Sequence, residues 1–129
     1  MLAGCTVLTW SRTQAAYALS SCEAELYAMG SAASEVLWAF AFLVEQGFKL
    51  EPPIVWGDSS SALQLASRCG AGKLKHVEVR LLALQSWRAE GRLRLAKVAS
   101  AENAVDVLTK HVTRAIWIEC SRRLGLHHE

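Results

Sequence analysis

The sequence lacks the features that mark several common classes of protein. No stretch without a charged residue exceeds about ten residues, whereas a membrane-spanning helix needs ~18, so we expect no membrane association. The first residues carry no basic segment typical of a secretory signal. The four cysteines are scattered and form no C-x-x-C pair, which argues against a zinc site and favours reduced thiols. We therefore expect an intracellular protein, cytoplasmic or nuclear.

Aspartate is also scarce, because only Asp58 and Asp106 occur among 129 residues. Proline is equally rare, with two residues, and neither a repeat nor a long linker interrupts the chain. Hydrophobic residues make up 52% of the composition, which is enough to bury a core and excludes a disordered chain. The length then predicts one domain over residues 1–129.

The formal net charge of +2 hides an uneven distribution. Residues 1–67 hold two basic and six acidic groups, for a net of −4, whereas residues 68–97 hold eight basic and two acidic groups, for a net of +6. Residues 98–129 balance at four against four. Two interpretations stand: a metal site beside a phosphate-binding surface, or a solvated helix and edge strand.

The first half of the chain predicts two strands, one long helix and a further strand. Thr6–Trp10 and Ala15–Leu19 are typical of short strands. The S-x-x-E capping box at Ser20 predicts a helix start, and apolar residues then recur at helical spacing up to a closing glycine, Gly47. Ile54–Trp56 is expected to be a short buried strand that leads into a polar turn.

The second half predicts three more helical regions and one strand. A small helix should run through Leu63 and Leu65 to Ser67, and a longer one from Val77 to its end at Gly91. Residues 92–95 alternate as a strand does, with both arginines on one face. Helices are expected from Ser100 to Leu108 and around residues 116–120. This order of elements predicts a mixed α/β fold.

Three carboxylates are candidates for chemistry: Glu23, Asp58 and Asp106. They would lie on the first turn of the long helix, at the end of a buried strand, and in an apolar helical stretch. Oxygen ligands of this kind suit Mg²⁺. Each residue also has a structural interpretation, because Glu23 would close the capping box, Asp58 would cap the small helix, and Asp106 would pair with Lys110 at i+4 or face solvent.

Taken together, the motifs resemble the ribonuclease H domains of copia-type (Ty1/copia) retrotransposon polyproteins. The segment ALSSCEAELYA is similar to that family's ALSSTEAEY, and the other matches are its SW-S strand, its C-D-N-x-S-A turn, its K-H-I-D-I-R helix start and its N-x-A-D-I-L-T-K signature. The five segments occur along the chain in the same order as in the family. They are Thr9–Ser11, Ala18–Ala28, Trp56–Ala62, Lys75–Arg80 and Asn103–Lys110. The resemblance covers residues 6–126, nearly the whole chain.

The resemblance implies a ribonuclease H-like fold, in which helices flank a mixed five-stranded sheet. It implies hydrolysis of the RNA strand of RNA–DNA hybrids during reverse transcription, with two metal ions, Mg²⁺ or Mn²⁺. Glu23, Asp58 and Asp106 carry over as the catalytic metal ligands. The partners implied are the hybrid and the rest of a reverse transcriptase polyprotein.

Basic residues of the segment 68–97 are then expected to contact the phosphates of the hybrid. A helix-start role for His76 is an equally good interpretation of that one residue. The residues predicted to bind nucleic acid are Lys73, Lys75, His76, Arg80, Arg92 and Arg94.

The chain departs from the family at its beginning. The family's first strand carries an aspartate in a D-x-D-W-A segment, whereas no acidic residue precedes Glu23 in this sequence. The resemblance therefore predicts an N-terminally truncated domain that lacks the first strand and one metal ligand. The alternative function is a non-catalytic ribonuclease H-like remnant that binds nucleic acid or another partner.

Overall fold

The computed structural model describes residues 6, 8–10, 20–68, 79–99, 102–108 and 110–125. Their secondary structure confirms the mixed α/β class, while the ribonuclease H-like fold and the single domain stay predictions. The chain divides into two compact units, Gln14–Val98 and Met1–Thr13 with Ala99–Glu129, which are described in turn. In chain order the elements are α1 (Ser21–Glu45), β1 (Ile54–Gly57), α2 (Ser60–Ser67), α3 (Val79–Ala89), β2 (Arg94–Lys97), a 3₁₀ helix (Ala104–Leu108) and α4 (Arg114–Arg123).

Helix α1 begins and ends where the sequence predicts. Ser20 is the N-cap, and its Oγ accepts the Glu23 N–H at 3.2 Å. At the other end, Gly47 adopts φ +90°, a conformation that glycine enters without steric cost. The Gly47 N–H donates to the Val44 carbonyl at 2.9 Å and the Phe48 N–H to the Leu43 carbonyl at 3.1 Å. This pair of bonds is a Schellman motif.

The core of the larger unit forms between one face of α1 and the elements β1, α2 and α3. Leu26, Met29, Ala33 and Leu37 supply the buried face of α1, at the spacing of three and four residues that keeps side chains on one side of a helix. Among the described residues, the largest fully buried side chains are Leu84 on α3 and Leu93 just before β2. Ala62 and Ala66 of α2 belong to the same core.

Contrary to the expectation from the sequence that no segment could span a membrane, helix α1 is long and apolar enough to cross one, by length and composition only. The core helix of a soluble protein meets the same criteria. In this chain one face of α1 lies against β1, α2 and α3, which accounts for the apolar residues of that face. Trp38, Phe42 and Val44 of the same helix are exposed.

Strands β1 and β2 are parallel and pair in register from Ile54↔Arg94 to Gly57↔Lys97. A further bond, from the Val98 N–H to the Gly57 carbonyl at 3.0 Å, extends the pairing beyond the last strand residue. Helices α2 and α3 make the crossover that a parallel pair requires. Only Val55 and Gly57 of β1 are buried, so the predicted strand is present but buried on one face alone.

Gly57 lies where two helices close on the strand. A Cβ at this position would lie 3.3 Å from the Met29 Sδ of α1 and 3.7 Å from the Leu63 Cδ2 of α2. The absence of a side chain therefore lets both helices pack against the end of β1, directly before Asp58.

Helix α2 begins at Ser59, whose Oγ accepts the Ala62 N–H at 3.3 Å. The interpretation of Asp58 as the cap of this helix is therefore wrong. Serine at this position satisfies one of the N–H groups that a helix leaves open at its first turn. Asp58, the preceding residue, is therefore not the N-cap of α2.

Three other predictions differ from the structure. Thr6 and Leu8–Trp10 are not in a strand, and the predicted strand Ala15–Leu19 lies outside the described residues. Strand β2 begins at Arg94 rather than Arg92, because the chain is still turning after the left-handed Gly91, which has φ +72°. The helix expected up to Leu108 is a 3₁₀ helix.

The smaller unit is described around the 3₁₀ helix and α4, which contact each other. The Arg123 Nη1 donates to the Glu102 carbonyl at 3.4 Å, and the Thr6 hydroxyl donates to the Leu124 carbonyl. Ser121 and Leu124 are the buried residues of this unit's described part. Ile116 is 50% exposed, so this apolar side chain of α4 is not part of that buried set.

We expect Leu84→Ala to lower the free energy of unfolding by about 2–5 kcal/mol, because it removes a fully buried side chain and leaves a cavity. Leu82→Ala is the matched control, since Leu82 lies on the same helix and is 44% exposed. Urea denaturation followed by circular dichroism measures both. Equal losses for the two variants would contradict the assigned core.

We expect Ser59→Ala to lower the free energy of unfolding by about 1 kcal/mol, because it removes the cap of α2. Asp58→Asn should cost less, at most about 0.5 kcal/mol through the helix dipole. Thermal unfolding of the two variants beside the parent chain measures the difference. A larger loss of unfolding free energy for Asp58→Asn than for Ser59→Ala would contradict the assignment of Ser59 as the cap.

Candidate metal and nucleic-acid site

Asp58 stands at the carboxyl end of β1, in the bend that leads into α2. Its side chain is half-buried, and within the described part of the chain it has no hydrogen-bond or ion-pair partner. A charged group that is partly withdrawn from water and unpaired adds little to the stability of the fold, here only its interaction with the dipole of α2. Its carboxylate is therefore available to a ligand, at the edge of a parallel sheet where ligands commonly bind.

Glu23 lies in the first turn of α1, and its side chain is half-buried. Its Oε1 accepts a hydrogen bond from the Tyr27 hydroxyl at 2.6 Å, which orients the carboxylate along the helix. Glu23 borders the buried face of α1, since it shares a side of the helix with Leu26 and Gly30. That same face carries Met29, which reaches Gly57.

The structure thus places Glu23 and Asp58 on elements that pack together. Helix α1 contacts β1, and Met29 meets β1 one residue before Asp58. Glu23 precedes Met29 by six residues, or about 9 Å along the helix axis. Both carboxylates therefore belong to the packed region formed by α1, β1 and α2.

Asp106 lies on the 3₁₀ helix of the smaller unit. Its Oδ2 accepts from the Lys110 Nζ at 2.6 Å, and its Oδ1 accepts from the Asn103 Nδ2 at 3.3 Å. The predicted i,i+4 pairing with Lys110 is confirmed. Because the lysine side chain is 60% exposed, water screens the pair and its contribution to stability is small.

Convergence of all three carboxylates stays a prediction. Among the described residues, no group of three or more histidine, cysteine, aspartate or glutamate side chains is arranged to hold a metal ion. The donor chemistry itself fits, because carboxylate oxygens are the ligands that Mg²⁺ and Mn²⁺ prefer. Glu23 and Asp58 belong to the larger unit and Asp106 to the smaller one.

Most of the predicted nucleic-acid-binding residues lie where the structure gives no description of their side chains. Lys73, Lys75 and His76 lie outside the described residues, and only the backbone of Arg80 is described, in α3. For these residues the proposed contact with phosphate stays a prediction.

The two remaining arginines are exposed and have acidic partners. The Arg94 guanidinium lies 3.2 Å from the Glu51 carboxylate and also donates to the Pro52 carbonyl, while that of Arg92 lies 3.8 Å from Glu90. Arg94 is the first residue of β2, at the opposite end of the strand pair from Asp58. Its charge is thus partly balanced within the larger unit.

Lys97 is a residue of this region to which sequence reasoning assigned no role. It is the last residue of β2 and pairs with Gly57, so it lies at the same end of the sheet as Asp58. Its Nζ donates to the Ser60 Oγ on the first turn of α2. The strand register, rather than any motif, reveals this position, and the sequence does not specify which residues of the two strands pair.

Comparison with known proteins relates the chain to mobile genetic elements. It is 32% identical over 122 residues to the retrovirus-related Pol polyprotein from transposon TNT 1-94 of Nicotiana tabacum, with 93% of the chain covered. It is 29% and 27% identical to the Pol polyproteins from transposons RE2 and RE1 of Arabidopsis thaliana, each over 122 residues and 92% of the chain.

The chain spans 8–9% of the length of these polyproteins. No protein-family model matches it, and no solved structure is significantly similar. The alignments to these relatives nevertheless cover more than nine-tenths of the chain. The chain is therefore homologous to Pol polyproteins of Ty1/copia-type retrotransposons.

Proposed function

We propose that this chain is the ribonuclease H part of a retrotransposon Pol polyprotein and that it hydrolyses the RNA strand of RNA–DNA hybrids. The homologous polyproteins support the retroelement origin. The observation that carries the activity is Asp58, a half-buried carboxylate without a partner in the described part of the chain, at the carboxyl end of a parallel strand. Ser59 caps the helix that follows, so helix capping does not account for that carboxylate.

In this proposal Glu23, Asp58 and Asp106 hold Mg²⁺ or Mn²⁺. A pair of such ions supplies an activated water and stabilises charge on the leaving oxygen of a phosphodiester. The chain's own contributions are to hold the carboxylates in place and to bind the backbone of the hybrid. The Tyr27 hydroxyl fixes Glu23, and the fixed pairing of β1 with β2 positions the backbone before Asp58.

The pairing of Asp106 with Lys110 is compatible with a ligand role for Asp106. An exposed ion pair of this kind contributes about 0–1 kcal/mol, whereas a divalent cation with several carboxylates binds an aspartate more strongly than a solvated ammonium does. The lysine would then turn to solvent or to a phosphate. The carboxylate remains accessible for this exchange, since its side chain is 23% exposed.

A second function, hybrid binding without cleavage, is favoured by one observation: among the described residues, no group of three or more histidine, cysteine, aspartate or glutamate side chains is arranged to hold a metal ion. A metal site with fewer carboxylates binds its ions more weakly. The fold and the basic groups would still retain affinity for nucleic acid.

The test is cleavage of a labelled RNA strand in an RNA–DNA hybrid, with Mg²⁺ or Mn²⁺. The parent chain is compared with a version that carries, ahead of Met1, an added strand with the aspartate that the resemblance implies. We expect the extended version to cut faster, and Asp58→Asn to lower its rate by at least about 100-fold because a metal ligand is lost. Glu35→Gln is the control, since Glu35 is an exposed carboxylate of α1 that belongs to no ion pair of the described residues, and its loss should change the rate less than about twofold.

Cleavage that survives Asp58→Asn would overturn the site assignment. If neither version cuts although both bind the hybrid, the catalytic proposal fails and the binding function stands. Cleavage without added metal, in the presence of a chelator, would contradict the role of the carboxylates as metal ligands.

A further inference from the structure

Lys97 is placed beside Asp58 by the pairing of the two strands. Gly57 and Lys97 are direct partners in the parallel register, and neighbouring strands lie about 4.8 Å apart. The bond from the Val98 N–H to the Gly57 carbonyl fixes the backbone immediately after Lys97. Lys97 is therefore adjacent across the sheet to the residue that precedes Asp58.

The side chain of Lys97 is held over the turn that follows Asp58. Its Nζ donates to the Ser60 Oγ, and the neighbouring Ser59 and Ser61 hydroxyls lie 3.1 Å from each other. The bond to Ser60 orients the ammonium group of Lys97. Because the lysine is exposed, this group also reaches solvent. Since an ammonium group has three N–H donors, the bond to Ser60 leaves two for a ligand.

The charge of Lys97 is not balanced by a close acidic group in the described part of the chain. No carboxylate of the described residues lies within ion-pair distance of its Nζ. Arg94, at the other end of the same strand, is paired with Glu51. The two ends of β2 thus differ, and the end beside Asp58 presents the unbalanced cation.

We propose that Lys97 contacts a backbone phosphate of the nucleic-acid strand that lies against Asp58 and so positions this strand. The inference rests on the proposed function, and it adds a residue to the predicted set of phosphate contacts. A lysine binds phosphate as a point charge, and the Ser60 hydroxyl beside it is a further donor. Lys97 is a positioning residue, since the contact is made to the backbone and not to the reacting atoms.

The experiment measures binding of the whole chain to a fluorescently labelled RNA–DNA hybrid by anisotropy, from about 50 to 200 mM NaCl. Lys97→Met removes the charge and keeps the length of the side chain. We expect it to weaken binding by about threefold to tenfold and to reduce the slope of log affinity against log salt by about one, the loss of a single phosphate contact. Two hybrids of unrelated sequence should show the same change.

Two further variants separate the contact from a general effect of charge. Lys97→Arg should restore affinity and slope, since it keeps the cation at the same position. Lys49→Met removes an exposed lysine from the connector before β1 and should leave both unchanged. Circular dichroism of each variant checks that the fold is retained, and Ser60→Ala should weaken binding less than Lys97→Met does.

The outcomes distinguish this inference from the function on which it rests. If the parent chain binds the hybrid with strong salt dependence but Lys97→Met binds equally well, Lys97 makes no phosphate contact and the proposed function stands. If the parent chain does not bind the hybrid at all, the proposed function and this inference both fail. An equal loss for Lys49→Met would also overturn the inference, because the effect would then belong to net charge.

Discussion

The parallel pairing of β1 with β2 is the constraint on which the candidate site depends. Residues at the carboxyl ends of parallel strands meet at one edge, and the register Gly57↔Lys97 determines which ones meet. A slip of one residue would move every side chain of β2 to the other face of the sheet. Gly57 permits this arrangement to pack, because a Cβ would lie 3.3 Å from the Met29 Sδ. The glycine before Asp58 is thus a packing requirement as well as part of a motif.

The two serines after Asp58 make different contacts in the turn. Ser59 caps α2 through the Ala62 N–H, and Ser60 accepts the bond from Lys97. Asp58 and Lys97 are left without close partners of opposite charge in the described residues. At the amino end of the same strands, Arg94 and Glu51 neutralise each other. A carboxylate and an ammonium group that have no close partner of opposite charge in the described residues are what a metal ion and a phosphate, respectively, would need at this edge.

The sequence predicts the local structure well where a pattern has a local cause. The capping box at Ser20 and the glycine at position 47 set the ends of α1, because both act within one turn of the helix. The choice of Ser59 over Asp58 as a cap was not predictable, since both residue types cap helices well. The burial of β1 on one face depends on the helices α1 and α2 that pack against it, and the position of Lys97 depends on the strand register, neither of which a local pattern specifies. The predicted convergence of Glu23 and Asp58 with Asp106 would depend on packing at longer range still.

The proposed metal site of Glu23, Asp58 and Asp106 is tested most directly by paramagnetic broadening by Mn²⁺. In a ¹⁵N-labelled sample of the chain, Mn²⁺ broadens amide signals of residues close to its binding site. The account predicts saturable broadening of three groups together: the amides around Glu23, around Asp58 and around Asp106, with Mg²⁺ restoring the signals. Broadening confined to one of these groups, or spread evenly over the exposed carboxylates, would contradict it.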